Sequence, residues 1–235
     1  MKNALQSNVK ADTIDKHVIL YKKALIGFFT TALLITFFIF SQKAYADNTN
    51  PAEQEKAKDF IETFATRAID VLKNKELSEE QTFAEYRALL KEGFALDYIA
   101  KICLSRHRKK ANDDELRDYY SLFPEFIMKV NSARLKKLNT TKVVIDKVTP
   151  SGNEDIFIRT KIFNLENKAY DVDWRVRSDK NGTTKIIDVK IEGISMVATQ
   201  RDDFTSRITT SGVGGLNLYM KDIINGTALA ENNNT

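Results

Sequence analysis

Residues 170–177 read Tyr-Asp-Val-Asp-Trp-Arg-Val-Arg, and this stretch constrains the fold more than any other. Tyr170, Val172, Trp174 and Val176 alternate with Asp171, Asp173, Arg175 and Arg177. Successive side chains of a strand point to opposite faces, so one face is wholly apolar and the other wholly charged. Such a strand belongs in an antiparallel sheet with one side packed and one side wet. Its neighbours carry the same period. Val143 and Ile145 begin an earlier strand, and Ile156, Ile158, Thr160 and Ile162 lie along the next. Asn181-Gly182 is a hairpin turn signal leading into Ile187, Val189 and Ile191 on a fourth strand. Gly193 is expected to end the sheet.

Before about Leu138 the apolar period is helical instead. Phe60, Phe64, Ala68, Val71 and Leu72 form one stripe, and Ser78 with Gln81 is a capping-box signature for a second helix. A short third helix carries Ile99, Ile102 and Cys103. Asn112 then caps a long fourth helix, with Asp113, Asp114 and Glu115 in its positive first turn. Leu116, Tyr119, Tyr120, Phe123, Ile127 and Val130 make its apolar face, and Pro124 within it predicts a kink or a split. Two more helices follow the sheet, over 195–209 and 216–224. The order predicts an α+β domain with helices packed on one face of a curved four-stranded antiparallel sheet.

The first 46 residues obey other rules. Lys22 and Lys23 precede an uncharged run from Ala24 to Phe40, and Ala44-Tyr45-Ala46 stands just before Asp47. Positive charge, an apolar run and a small-x-small site read as a signal peptide over 1–46, cleaved after Ala46. The run of 17 residues is short for a bilayer span. A retained N-terminal anchor is the rival reading, favoured by the long stretch from Met1 to Lys23. The remaining 189 residues, 47–235, suit a single domain.

Charge narrows the function. Of 36 Lys+Arg and 32 Asp+Glu, six basic and two acidic residues precede Asp47, which leaves 30 of each. An exported part with no net charge lacks the basic footprint of a nucleic-acid binder. Cys103, the only cysteine, allows no internal disulfide, and its apolar neighbours predict burial. After cleavage His107 is the only histidine, in a basic cluster expected to be a solvated helix end. No paired histidines, Cys-x-x-Cys or calcium-spaced loop is present, so neither metal nor other cofactor is expected. Asp171, Asp173 and Asp188 fall on the wet phase of the strands, and Glu154, Asp155 and Glu192 at strand ends, where solvation is expected. Gly212, Gly214 and Gly215 follow no strand and precede no Gly-Lys-Ser/Thr, so they make no P-loop. The residues predict no enzyme. They do include 22 Phe and Tyr, enough for sheet and helices to enclose more apolar surface than they fill.

The end of the sheet is the most specific part. Val172-Asp173-Trp174-Arg175-Val176, a hairpin, and then Ile187-Asp188-Val189-Lys190-Ile191-Glu192-Gly193-Ile194-Ser195-Met196 resemble the signature of the MlaC family. Thr199 to Phe204 and Gly212 to Leu216 resemble its closing helices, and Phe94 to Ala100 with Asp113 to Leu138 its helical half. The resemblance implies a periplasmic phospholipid-binding protein with acyl chains in an apolar pocket and the headgroup in water. It further implies a shuttle between an outer-membrane lipoprotein–porin complex and an inner-membrane ABC transporter with a lipid-binding ring, maintaining outer-membrane lipid asymmetry.

The expected tail contacts are the apolar sheet phase: Val143, Ile145, Ile156, Ile158, Ile162, Tyr170, Val172, Trp174, Val176, Ile187, Val189 and Ile191. Phe94, Ile99, Phe123, Ile127, Met196 and Val197 are expected to join them from the helices. Two other readings stay open on the residues alone. One is a periplasmic chaperone for exported polypeptides; the other is an enzyme on a hydrophobic substrate using Asp188 or His107.

Overall fold

The computed structural model describes residues 50–138 and 140–227, and of 132–138 the backbone only. The leader expected over 1–46 lies outside the described residues. Asn50 opens α1 (Pro51–Lys73): its side chain accepts from Ala52 N, and Pro51 sits in the first turn, where a missing N–H leaves nothing unpaired. Ala57, Ile61, Phe64 and Ala65 form its buried stripe. Ser78 and Gln81 make the expected capping box of α2 (Glu79–Gly93), with Ser78 N donating to Gln81 Oε1 at 2.8 Å. Gly93 closes α2 against α1 at a spot where a Cβ would lie 2.3 Å from the Phe64 ring. Next come α3 (Leu96–Leu104), a 3-10 turn (Ser105–Lys110) and α4 (Asp113–Leu138). Asn112 and Glu115 form a second reciprocal cap at the start of α4, at 2.9 and 3.0 Å. Pro124 does not split α4, which runs unbroken through it. Phe123, Phe126 and Met128 are buried on either side of it, and that packing carries the helix across one lost hydrogen bond.

The sheet is an open antiparallel meander of β1 (Thr140–Ser151), β2 (Asp155–Asn164), β3 (Ala169–Ser178), β4 (Thr184–Ile191) and β5 (Ile194–Ser195), in that order. It has five strands where four were expected. Glu192 and Gly193 both take positive φ, 49° and 81°, the two-residue turn that suits strand twist. The chain therefore doubles back, and Ile194 and Ser195 pair with Ile191 and Lys190.

The two closing helices expected from the sequence meet at a kink and together make α5 (Met196–Asn225). It bends at Gly212, whose φ of 71° and ψ of −178° are not helical and would strain any residue with a Cβ. Past the bend, Gly214 N donates to Glu115 Oε1 at 3.0 Å. The carboxylate that caps α4 thus also caps the second limb of α5.

Two hydrophobic clusters result. The first joins α1 and α2 to the sheet and includes Ile61, Phe64, Leu89, Ile158, Trp174 and Ile186. The second is wholly helical and joins α3, α4 and α5 through Leu104, Tyr119, Phe123, Phe126, Phe204 and Leu216. α4 is the shared wall: Met128 faces the sheet cluster, while Phe123 and Phe126 face α5.

Candidate functional site

Strand register assembles the apolar face of the sheet row by row, because directly paired residues share a face. The first row is Pro150, Ile156, Val176 and Ile186, and the second Val148, Ile158, Trp174 and Val189. The third is Ile145, Thr160, Val172 and Ile191, and the fourth Val143, Ile162 and Tyr170.

Burial changes along the central strands β2 and β3, while Pro150, Val148 and Val189 beside them are half-buried. At the β3–β4 hairpin end Ile156, Ile158, Val176 and Ile186 are all at most 5% exposed. In the third row Thr160 and Val172 are buried, Ile145 is half-buried and Ile191 is 38% exposed. In the fourth row all three residues are half-buried. The face is closed at one end and open at the other.

α1 lies over this gradient. Near its start Lys56 donates to Gly182 O at the closed end, and at its last residue Lys73 Nζ donates to Thr141 O at the open end, 2.7 Å away. Phe64 of α1 packs edge-on to Trp174, with centroids 5.9 Å apart, and to Phe94 at 5.7 Å. Trp174 in turn donates Nε1–H to Thr160 Oγ1 at 3.0 Å, and Thr160 donates to Val172 O at 3.2 Å. Thr160, the one aliphatic hydroxyl among these rows, and the indole N–H of Trp174 are therefore satisfied within the face, and the phenol of Tyr170 stands in the half-buried last row.

Most of the residues expected from the sequence fall on this surface, and Phe94 packs against both clusters. Ile99, Phe123, Ile127 and Val197 do not: they belong to the helical cluster. Helical period explains it, since Phe123 and Ile127, four residues apart, share the α5-facing side of α4. Met196 is half-buried at the start of α5, among the described residues in neither cluster.

Bulges account for the other differences. The β3–β4 register slips between Arg175 and Val176, so that Val176 pairs with Ile186 and Arg175 with Asp188. Ile187 is the extra residue, buried but in neither cluster, and Ile186 takes the place on the apolar face that alternation assigned to it. A second slip, between Ile145 and Lys147, brings Val148 onto the face. Ile186, Val148 and the α1 residues Phe60 and Val71 were missed; the apolar pair Ile186-Ile187 was the available signal.

Three polar residues expected in water are buried. Asp155 is 4% exposed and accepts from Arg175 Nε at 2.8 Å and Arg177 Nε at 2.6 Å. Burial pushes its carboxyl up, but the hydrogen bonds from Arg177 and Arg175 outweigh that and hold it below the usual carboxylate range. Asp188 accepts from Ser195 Oγ at 2.7 Å, Val189 N at 2.8 Å and Val197 N at 3.2 Å. Ser195 caps α5 through Ala198 N, so Asp188 secures the start of that helix, where negative charge is favoured. His107 is 6% exposed; burial first, then Arg106 and Lys110, push its imidazole down toward the neutral form. Cys103 is buried as expected, and that burial pushes its thiol up to about 12. Among the described residues no three His, Cys, Asp or Glu side chains gather as a metal ion needs.

A separate cleft of about 360 Å³ lies in the bend of α5, beside Asp203, Ser206, Arg207, Thr210 and Tyr219. Arg207 stacks 3.5 Å from the Tyr219 ring centre and pairs with Asp203, while Thr210 and Ser211 donate to carbonyls of their own helix. It is polar and internally satisfied, unlike the sheet face.

A solved structure described as the phospholipid-binding protein from Ralstonia solanacearum in complex with a phospholipid has the same fold. It superposes with a TM-score of 0.64 at 19% identity, over 73% of this chain and 98% of that one. The family model described as MlaC protein matches residues 62–222, from within α1 to near the end of α5. The chain belongs to the MlaC family.

Proposed function

We propose that this chain is a periplasmic phospholipid carrier that binds acyl chains on the apolar face of its sheet beneath α1. The observation that carries the reading is the gradient from a closed hairpin end to a half-buried apolar end at Val143, Ile145, Ile162 and Tyr170. Each buried methylene contributes about 0.8 kcal/mol, so one chain of about 16 carbons has on the order of 12 kcal/mol of exposure to hide. A face of branched and aromatic side chains with the Thr160 hydroxyl satisfied within it meets that demand without any catalytic group. The phospholipid complex of the Ralstonia protein supports the reading through the shared fold. On this reading residues 1–46 are a cleaved export signal. The chain then carries lipid between an outer-membrane lipoprotein–porin complex and an inner-membrane ABC transporter with a lipid-binding ring, which sustains outer-membrane asymmetry. Asp188 and His107, the candidates for acid–base chemistry, serve the fold instead.

The test is native mass spectrometry of the exported chain, purified without detergent, with solvent extraction of the same sample. The expected result is an added mass of one diacyl phospholipid per chain, lost in Ile162→Trp, which fills the half-buried end. Lipid-free protein that takes up none from vesicles refutes the carrier reading; copurifying polypeptide supports the chaperone.

A further inference from the structure

The open end of the apolar face is bounded by two ammonium groups whose charge no carboxylate among the described residues offsets. Lys73 ends α1 and spends one of its three donors on Thr141 O at 2.7 Å. Thr141 Oγ1 in turn donates to Phe163 O at 3.2 Å and Asn164 O at 3.3 Å, across the start of β1 and the end of β2. Lys168 stands opposite Asn164 in the next turn: Asn164 N donates to Lys168 O at 3.1 Å, and Lys168 N to Asn164 Oδ1 at 2.9 Å. Its Nζ lies 4.9 Å from the centre of the Tyr170 ring, and Tyr170 is on the apolar face in the row of Val143 and Ile162. Both cations therefore flank the last, half-buried row of that face.

Carboxylates do not neutralise them. Among the described residues neither Lys73 nor Lys168 has a carboxylate oxygen within ion-pairing distance. Asp171 is paired with Lys161 on the charged face at 2.9 Å, and Glu192 accepts Asp171 N at 2.7 Å. An ammonium held over an aromatic ring keeps its direction without losing its charge, and oriented N–H donors beside a dry surface suit a phosphate oxygen.

We propose that Lys73 and Lys168 form a phosphate-reading site at this end, which holds the headgroup of an anionic phospholipid while its tails lie on the apolar face. The site rests on the carrier reading above, and adds to it a preference for phosphate over an uncharged headgroup.

The experiment offers the full chain vesicles doped with dioleoyl phosphatidylglycerol or with dioleoylglycerol, whose tails are identical, and measures lipid transferred to the protein. Wild type is expected to favour the phosphatidylglycerol, and Lys73→Gln/Lys168→Gln to lose about fivefold of that preference, the scale of two exposed charged contacts. Uptake of dioleoylglycerol stays unchanged. Lys168→Gln alone, at an exposed turn, is expected to lose part of the preference. A preference that survives in the double variant overturns the site and leaves the carrier reading standing. Uptake of neither lipid by wild type removes both. In a parallel arm, inorganic phosphate is titrated against lysine acetylation. Protection of Lys73 and Lys168 by phosphate alone, with no preference between the two lipids, overturns the headgroup assignment in favour of a free anion.

Discussion

The two hydrophobic clusters are built from similar residues but differ in where their partly buried members stand. In the helical cluster Tyr119, Phe123 and Phe204 are fully buried, and Phe204 meets the three rings of Tyr119, Phe123 and Phe126 at 6.0, 6.2 and 5.6 Å. Even its polar atom is tied, Tyr119 donating to Ala100 O at 2.8 Å. Partly buried residues rim both clusters, but those of the helical cluster, among them Leu116, Tyr120, Val130 and Tyr219, are set along α4 and α5, whereas Ile145, Val148, Ile162 and Val189 stand on the strands of one sheet face. Half-buried residues side by side on one sheet face keep a contiguous apolar area for a ligand to cover. On the carrier reading, the sheet cluster supplies the site and the helical cluster stability alone.

The sharpest way to break that division is at Phe204. Phe204→Ala removes the ring at the centre of the helical cluster and should destabilise the protein by about 3–5 kcal/mol in urea unfolding. Lipid carried by the molecules that remain folded should be unchanged; a parallel loss of lipid would mean that the clusters do not act separately. Ile145→Ala, at the edge of the sheet cluster, should destabilise by only about 1 kcal/mol, because a half-buried side chain gives up less contact, yet it should weaken lipid retention. The smallest effect is electrostatic. Asp155 titrates lower in the folded chain than in the unfolded one. Its contribution is therefore complete above about pH 4 and lost as pH falls through the folded value. Asp155→Asn should flatten that part of the acid dependence of the urea midpoint without altering lipid retention at neutral pH.

The sequence made the layers legible because their periods are long and clean. The β3 alternation, the Ser78 and Asn112 caps and the Asn181-Gly182 turn each state a local geometry that the structure adopts. Bulges were not legible, since one inserted residue reverses the phase of every residue beyond it and leaves composition untouched. That is why Ile186 was overlooked and Ile187 placed on the apolar face. The division into two clusters was hidden for another reason. Phe123 and Met128 are five residues apart on one helix, and only the packing of α5 on one side and the sheet on the other assigns them to different cores. Asp155 and Asp188 were read as wet because their partners, Arg177 and Ser195, approach through pairing that no local pattern announces.

The position of α5 after the sheet has a consequence for how the chain assembles. The meander closes by successive short turns, whereas Glu115 meets Gly214 across 99 residues. Closing a long loop costs more entropy than closing a short one, so in this molecule the helical part is the slow, non-local part and the sheet the quick one. Pulse-labelled hydrogen exchange should find the β2 and β3 amides protected before those of α5. A chain emerging in order also presents Tyr119, Phe123 and Phe126 well before Phe204 exists to cover them, so its most adhesive moment comes just before α5 emerges.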